Sequence, residues 1–237
     1  MKESIISLRD RLLTHFRKKA ILADPAARQL HDACSIVDPK QIQTRPIMES
    51  RFVAIDLETT GLNPYLGDEI ISIALVELRG LAFTGRHYVT LVNPERSIPP
   101  KASAIHGIVD ADIRHAPTID SILPQLVAFL GDAVVIAHHA NFDLRFLNKR
   151  LYRRAAIALK NPWIDTMMLY GSWRGKQIQC SLDDVAGKCG IVTQGRHNAL
   201  RDAQIAGEIV QILAPQLLKK TDGTVGRLIE YQFDHHL

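Results

Sequence analysis

A short apolar run that ends in two carboxylates is the feature that most constrains this chain. Residues 52–55 are Phe-Val-Ala-Ile, a pattern typical of a buried strand, and Asp56 and Glu58 follow this run. Side chains two residues apart on a strand point to the same face, so the two carboxylates are expected to lie together. Burying two like charges is costly unless positive charge lies between them. A divalent cation is the simplest candidate, and the pair therefore predicts further metal ligands elsewhere in the chain.

Composition places the chain among ordinary globular proteins. Of its 237 residues, 46% are hydrophobic and 23% are charged, a length and balance that suit one sizeable domain with an extension. No apolar run approaches the roughly 20 residues that span a bilayer, and the N-terminus has no signal-peptide pattern, so we expect no membrane partner. The odd and sparse set of cysteines favours a reducing, cytoplasmic setting. The 3 cysteines do not have the spacing of a disulfide framework or a zinc site. The net charge of +4 is compatible with a polyanionic partner, but many proteins without one are equally basic.

Three segments are expected along the chain. They are an N-terminal helical arm and linker over residues 1–49, an α/β domain over 50–214, and a tail over 215–237 that is either packed or flexible. Within the arm, apolar spacing predicts a helix over 4–22, Asp24-Pro25 predicts the start of a second helix, and 38–46 is interpreted as a linker or wrapping segment. The arm either packs on the main domain or binds a partner, including a second copy of the chain, through residues 1–45.

The α/β domain is expected to begin with an antiparallel meander, because consecutive apolar runs are joined by short connections. The predicted strands are 51–56, 69–78, 87–92 and 133–137, with a break over 80–85. The predicted helices are 119–130, 141–154, 165–170, 181–188 and 200–213, with an exposed loop over 171–180. We expect Pro215 to end the last helix, and Ser181 and Asp184 to form a capping pair.

Two more carboxylates stand where strands or loops give way to helices. Asp143 follows the strand 133–137, and Asp202 opens the last helix, five residues after His197. Each residue alone has an ordinary explanation, because an Asp in a first helical turn is usually a cap or dipole partner, and a loop histidine is usually solvated. A metal that cleaves phosphodiesters, however, needs several oxygen ligands, which gives these residues a joint role.

The three motifs together resemble the DEDDh 3′–5′ exonuclease family, which includes the proofreading epsilon subunit of bacterial DNA polymerase III. The motifs are Asp-x-Glu on a first strand, Phe-Asp after a later strand, and His-x4-Asp at the last helix, and the similarity covers about residues 50–213. The resemblance implies a ribonuclease H-like α/β fold, with a central mixed five-stranded sheet flanked by helices. The family often has Asn at the position of His139, which is not a metal ligand there.

The resemblance also implies the site residues. The implied metal ligands are Asp56, Glu58, Asp143 and Asp202, and the implied catalytic base is His197. The implied substrate-binding residues are Thr59, Thr60, Gly61, Leu62, His106 and Phe142. Two alternatives stay open: His106 could lie on the surface beside a turn at Gly107, and Leu62 could lie in the core below a strand-ending turn.

The implied reaction is the removal of nucleoside 5′-monophosphates from a 3′ end, with two divalent cations as cofactors. Mg²⁺ is the expected ion and Mn²⁺ is expected to substitute, since both favour oxygen ligands. The expected partner is a nucleic-acid 3′ end, with single-stranded DNA favoured over the alternative of RNA. A non-catalytic docking module is a third possibility, but its signature, a missing acidic ligand, is not seen. Two groups of basic side chains could contact the phosphate backbone. The group in the loop before Cys180 is Arg174 and Lys176. The group on the helix after Asp143 could instead form an ordinary solvated helix face, and it consists of Arg145, Lys149, Arg150, Arg153 and Arg154.

Overall fold

A five-stranded mixed sheet organises the protein. The computed structural model describes residues 16–175, 179–219 and 223–234. In space the strands run in the order β3-β2-β1-β4-β5. The pairs β1/β2 and β2/β3 are antiparallel, and β1/β4 and β4/β5 are parallel. The strands are β1 (Arg51–Thr59), β2 (Ile70–Arg79), β3 (Ala82–Leu91), β4 (Val134–Ala137) and β5 (Trp163–Asp165). The expected mixed sheet flanked by helices is confirmed.

Helices cover both faces of the sheet. Residues 16–21 are helical and are labelled α1, while residues 4–15 of the helix predicted over 4–22 lie outside the described part of the chain. The other helices are α2 (Pro25–Ser35), α3 (Pro39–Gln43), α4 (Pro100–His106), α5 (Asp110–Ile113), α6 (Ile119–Leu130), α7 (Ala140–Ala155), α8 (Thr166–Arg174), α9 (Leu182–Lys188), α10 (Ala199–Leu217) and α11 (Val225–Tyr231). Short 3-10 turns occupy Ile47–Glu49 and Pro64–Leu66. None of the helices in these described ranges combines the length and apolarity needed to cross a lipid bilayer.

Strand β1 separates the two halves of the core. Its side chains alternate, so that Phe52 and Ala54 pack in the cluster that contains α10, whereas Val53 and Ile55 pack in the cluster that contains α6 and α7. All four side chains are at most 1% exposed. Because the alternation continues along the strand, the side chain that follows Ala54 by two residues emerges on the α10 face.

Two expected boundaries are wrong for reasons of backbone chemistry. The break expected over 80–85 is limited to a tight turn, because Gly85 has a φ of +82° and sits where the β2/β3 register shifts, so it forms a bulge within β3. Pro215 does not end α10, which continues to Leu217. A proline lacks only its own N–H, and Leu218 still donates its backbone N–H to the Ala214 carbonyl at 3.0 Å.

Two further elements were placed incorrectly or missed. Helix α8 extends to Arg174, so residues 171–174 are helical rather than part of a loop, and residues 176–178 lie outside the described part. Strand β5 is only 3 residues long, too short to give a recognisable alternation. The predicted cap of α9 is confirmed, because Ser181 and Asp184 form a reciprocal capping box.

The N-terminal arm packs on the domain. Helix α2 contacts α6 and α7, and α3 contacts α11. Residues 38–46, interpreted as a linker or wrapping segment, contain α3, which begins where the Asp38 carboxylate accepts hydrogen bonds from the Lys40 and Gln41 backbone N–H groups. The boundary between residues 49 and 50 stays a prediction.

Candidate metal centre and active site

Strand β1 carries Asp56 and Glu58 near its carboxyl end. They lie opposite Ala74 and Ser72 of β2 in the antiparallel register, and a bulge follows directly after Glu58. Because they continue the alternation of Phe52 and Ala54, both carboxylates lie on the face that α10 covers. The local sequence thus directs two acids toward the start of one helix.

Helix α10 supplies the third acid. Asn198 caps this helix by accepting hydrogen bonds from the backbone N–H groups of the first turn. Asp202 lies in that turn and is 4% exposed. Carboxylate oxygens of Asp56, Glu58 and Asp202 lie within 4.8 Å of one another. Three of the four predicted metal ligands are thereby brought together.

Asp143 approaches the same cluster from the other side of the sheet. It lies in the first turn of α7 and is 3% exposed. Its charge raises the pKa of Asp56, so the two carboxylates interact. Within the described residues, Asp143 does not belong to the group whose oxygens all lie within 4.8 Å.

The electrostatics of the cluster favour a cation. Burial, together with the neighbouring charges of Asp143 and Asp202, raises the pKa of Asp56 well above its ordinary value. Burial and Asp202 raise the pKa of Glu58 to about 7. Burial also raises the pKa of Asp143, although backbone hydrogen bonds oppose this change. The site therefore holds more negative charge than its surroundings neutralise.

Arg196 is the cation that partly offsets this charge. Its guanidinium donates to the Asp202 carboxylate and, through Nε, to Asp183 Oδ1 at 3.0 Å. It lowers the pKa values of Asp56 and Glu58. This residue was not predicted from the sequence, where the available signal was its position directly before His197.

The residues of the cluster fit a divalent metal. All donors are carboxylate oxygens, which hard divalent cations prefer. The second oxygen of Asp202, Oδ1, is buried and has no hydrogen-bond partner among the described residues. A buried oxygen of this kind usually has a partner. The acidic cluster is therefore consistent with divalent metal binding.

His197 lies on the loop before α10, at the edge of a cleft. Its backbone takes a left-handed φ of +61°, its side chain is exposed, and its N–H donates to Asp202 Oδ2 at 3.2 Å. The cleft has a volume of about 330 Å³ and is lined by residues that include Glu58, His106 and His197. The loop is thus anchored to the acidic cluster through its main chain, which leaves the imidazole free to face the cleft.

The turn after β1 is held by its own hydrogen bonds. Thr59 Oγ1 donates to the Gly61 carbonyl at 2.6 Å, and Thr60 Oγ1 donates to Asp68 Oδ1 at 3.2 Å. A Cβ on Gly61 would lie 2.5 Å from Asp68 Oδ2, so a larger residue would displace the Asp68 carboxylate from this turn. Leu62 is 82% exposed, and the alternative that places it in the core is wrong.

His106 and Phe142 come from two different helices, α4 and α7. His106 ends α4, and its Nδ1 accepts a hydrogen bond from the Ile108 N–H at 3.1 Å. Its Nε2 is buried without a partner in the described part of the chain, so His106 lines the cleft and does not lie on the open surface. Phe142 is half-buried, and its ring packs against Phe146 with 5.0 Å between the centroids.

Asp165 is a supporting residue that was also not predicted from the sequence. Its carboxylate accepts hydrogen bonds from the backbone N–H groups of Ala140 at 2.9 Å and Met167 at 3.0 Å. It therefore caps both α7 and α8, and it fixes the start of the helix that carries Asp143. An Asp-Thr pair directly before an apolar helix is an N-cap signal that could have indicated it.

A family model covers most of the sheet and all of these acidic residues. The RNase T family model, described as an exonuclease, matches residues 53–210. The chain belongs to the RNase T exonuclease family. The resemblance found in the sequence is thereby confirmed, and residues 53–210 form a domain of this exonuclease family.

Several relatives of this chain are named as DNA polymerase III or as its epsilon subunit. The PolC-type DNA polymerase III of Thermotoga maritima is 37% identical over 161 residues, which cover 68% of this chain and 12% of that protein. An epsilon-like protein of Rhodobacter capsulatus is 37% identical over 187 residues, 78% of this chain and 26% of that protein. The epsilon subunit of Aquifex aeolicus is 33% identical over 172 residues, 72% of this chain and 84% of that protein. The match thus spans only a small part of the first two relatives.

Solved exonuclease structures share the fold. Exonuclease X in complex with 5′ overhanging duplex DNA has a TM-score of 0.58 and 25% identity, and the match covers 76% of this chain and 99% of that one. The nuclease domain of 3′hExo, a DEDDh family member bound to rAMP, has a TM-score of 0.60 and 19% identity, with 74% and 95% covered. The expected ribonuclease H-like fold of the exonuclease is therefore confirmed.

Proposed function

We propose that this exonuclease removes nucleotides one at a time from the 3′ end of single-stranded DNA and releases nucleoside 5′-monophosphates. The observation that carries the proposal is the approach of three carboxylates, from β1 and α10, to within 4.8 Å of one another beside the His197 loop. A water oxygen attacks the terminal phosphorus, the bond from phosphorus to the 3′ oxygen breaks, and that oxygen takes a proton.

The proposed roles follow from position. Asp56, Glu58 and Asp202 would hold divalent cations together with Asp143, which enters from α7. Mg²⁺ is the proposed ion, with Mn²⁺ able to replace it, because both suit an all-oxygen donor set. When bound, the ions supply positive charge that favours deprotonation of water and departure of the 3′ oxygen.

His197 is the proposed general base. Its imidazole is exposed at the cleft, on the same loop whose main chain is fixed to Asp202. An imidazole takes up a proton near neutral pH, so it can accept the proton of the attacking water. His106 lines the cleft, Thr59 to Leu62 directly follow Glu58, and Phe142 directly precedes Asp143. These residues are proposed to receive the terminal nucleotide.

DNA is proposed as the substrate because the relatives named as DNA polymerase III components are 33–37% identical to this chain. By contrast, the structure of 3′hExo bound to rAMP is 19% identical and supports the fold alone. Sugar discrimination depends on contacts around the 2′ position. A direct comparison of DNA and RNA cleavage is therefore the test of the proposed substrate.

The assay compares matched 5′-labelled single-stranded DNA, duplex DNA and RNA, each with Mg²⁺, Mn²⁺ or EDTA. We expect a ladder shortened from the 3′ end on single-stranded DNA with either metal and no cleavage in EDTA. The Asp56→Asn variant is expected to abolish cleavage, and His197→Ala to slow it by about a hundredfold or more. Asp32→Asn, an exposed carboxylate change on α2, is the matched control and should retain wild-type turnover.

Two results would contradict the proposal. If Asp56→Asn cleaved DNA at the wild-type rate, the acidic cluster would not be the catalytic metal site. Faster trimming of RNA than of DNA would reassign the substrate to RNA while leaving the chemistry in place.

A further inference from the structure

The basic residues on α7 divide into two sets. Lys149 and Arg150 both contact the Glu69 carboxylate, at 2.8 Å and 2.6 Å, and Arg154 pairs with Asp24 at 2.6 Å. Lys149 and Arg150 are 11% and 13% exposed. This first set therefore fastens α7 to neighbouring segments, and its charge is largely neutralised.

The second set, Arg145 and Arg153, remains available to a ligand. Both side chains are exposed, and neither forms an ion pair within the described residues. The Arg145 guanidinium lies 5.2 Å from the centroid of the Tyr65 ring, which places a cation over an aromatic face. If these arginines only formed a solvated helix face, Arg145 would have no reason to lie over the exposed Tyr65 ring.

A groove lies next to these two arginines. It has a volume of about 530 Å³, and its lining includes Tyr65, Tyr152 and Arg153. Tyr65 is 64% exposed and Tyr152 is 50% exposed. We call Tyr65, Arg145, Tyr152 and Arg153 the upstream groove. Exposed rings beside unpaired cations are the combination that binds single-stranded nucleic acid without reading its sequence.

Helix α7 carries residues of both the upstream groove and the proposed site of the terminal nucleotide. On α7, Phe142, Arg145 and Lys149 are spaced by three and four residues, so they share one face of the helix. On the opposite border, the exposed Leu62 precedes Tyr65 by three residues. With a rise of about 1.5 Å per residue, Arg153 lies about 15 Å along the helix from Asp143. This length suits the nucleotides that precede the terminal one.

We infer that the upstream groove binds the single strand on the 5′ side of the scissile phosphodiester, through stacking on the two tyrosines and phosphate contacts to the two arginines. The inference rests on the proposed function, because it assumes that the 3′ end lies in the cleft. It adds a contact region that would make affinity depend on the length of the single strand.

The test compares wild type with the Arg145→Gln/Arg153→Gln double variant and with Tyr65→Ala. Binding of a dodecanucleotide is measured by fluorescence anisotropy in EDTA over a range of salt concentrations. We expect the double variant to bind about tenfold more weakly and to reduce the slope of log Kd against log salt by about 1.4, or about 0.7 for each phosphate that an arginine no longer neutralises. Tyr65→Ala should weaken binding by about fivefold or more.

A second readout separates the groove from the catalytic centre. With Mg²⁺, the ratio of KM for a dinucleotide to KM for the dodecanucleotide should fall in the groove variants. Arg79→Gln is the matched control, because Arg79 is exposed and pairs with the first residue of β1, at the far end of the sheet from Glu58. It should keep the wild-type salt slope and KM ratio.

The possible failures are distinguishable. If wild type cleaves neither substrate with Mg²⁺ or Mn²⁺, the proposed function is wrong, whereas the anisotropy still reports on the groove. If the groove variants bind the dodecanucleotide as wild type does, the inference is wrong even when cleavage occurs. An equal rise in KM on both substrates would also overturn it, since the residues would then act through the catalytic centre.

Discussion

At the residue scale, the acidic cluster needs positive charge even before a metal is considered. Arg196 supplies it: its side chain is 17% exposed and lies between Asp183, which is 48% exposed, and Asp202, which is 5% exposed. An ion pair of this burial is costly to break from one side, because the remaining charge is left without a partner. Arg196 and a bound cation would both neutralise Asp202, so metal binding and this ion pair are expected to be coupled.

Replacing Arg196 tests this coupling. We predict that Arg196→Gln lowers the free energy of unfolding in EDTA by about 2–4 kcal/mol, because Asp202 loses its cation. We also predict that Mn²⁺ raises the Tm of the variant more than that of wild type. In the variant the metal ion is the cation that neutralises Asp202, so it should bind more tightly, and a ligand that binds only the folded state stabilises it more when it binds more tightly. Thermal unfolding with and without Mn²⁺ measures both effects without an activity assay.

Arg201→Gln provides the comparison for that prediction. Arg201 lies on the same helix but pairs with Glu208 at 2.7 Å, with 24% of its side chain exposed. This variant should show the wild-type Tm gain on addition of Mn²⁺. An Arg196→Gln protein with the same Tm gain as wild type would show that Arg196 only tethers its loop.

At the element scale, helix starts gather at the carboxyl ends of parallel strands. Asp165 ends β5 and caps α7 and α8, while His138 follows β4. His138 Nε2 is 3.1 Å from the Cys180 carbonyl, which can only accept, so Nε2 carries the proton. Nδ1 then accepts the Thr166 hydroxyl at 2.9 Å. The neutral imidazole thus joins β4, α8 and the segment before α9.

This arrangement predicts a loss of stability in acid. Burial and the nearby His139 lower the pKa of His138 to about 4. As the pH decreases, His138 is therefore protonated in the unfolded chain at a higher pH than in the folded protein. The free energy of unfolding consequently falls as the pH decreases from about 6.5 toward about 4. We predict that the His138 contribution to the free energy of unfolding decreases by about 2 kcal/mol between about pH 7.5 and about pH 4.5.

The measurement is urea unfolding of wild type and His138→Gln at both pH values. The raised pKa of Glu58 changes the free energy of unfolding in the opposite direction over part of this range. Because Glu58 is present in both proteins, the His138 contribution is the difference between their free energies of unfolding at each pH. His115→Gln, at an exposed histidine, should follow wild type at both pH values. If the two proteins differ in free energy of unfolding by the same amount at both pH values, the prediction that a neutral His138 imidazole stabilises these contacts is wrong.

Sequence patterns predicted the elements with long periodic segments and missed those fixed by contacts between distant residues. The carboxylates of Asp56 and Glu58 share a face because strand alternation is local, and this was predictable. Strand β5 and the double cap by Asp165 depend on pairing with β4 and on Ala140, which no local pattern contains. The pairing of Arg196 with Asp183 was likewise hidden, because α9 and the His197 loop meet only in the folded protein.

At the scale of the whole molecule, the segment before β1 and the segment at the start of α11 hold each other. Residues 45–47 pair with residues 223–225: the Ile47 N–H donates to the Gly223 carbonyl at 2.9 Å, and the Val225 N–H donates to the Arg45 carbonyl at 3.0 Å. Earlier in the arm, His31 Nδ1 is hydrogen-bonded to the Ala155 carbonyl at 2.8 Å, at the end of α7. The arm therefore contacts both the tail and the helix that carries Asp143.

The arm should consequently contribute to stability. Leu30 is 5% exposed in the cluster that contains α6 and α7, whereas Ile36, just after the same helix, is 80% exposed. We predict that Leu30→Ala lowers the free energy of unfolding by about 2–5 kcal/mol, because it leaves a cavity in the core, and that Ile36→Ala changes it by less than about 0.5 kcal/mol. Urea unfolding followed by circular dichroism measures both variants.

Deletion of residues 1–45 extends this prediction to the whole arm. The deletion removes Ala27, Leu30, Cys34, Val37 and Ile42, all of them buried. Its cost should exceed about 5 kcal/mol, which is comparable with the total stability of an ordinary domain, so the truncated protein should expose apolar surface and lose cooperative unfolding. A truncated protein that unfolds as wild type does but changes its oligomeric state would instead identify the arm as a dimerisation segment, since the core would then be complete without it.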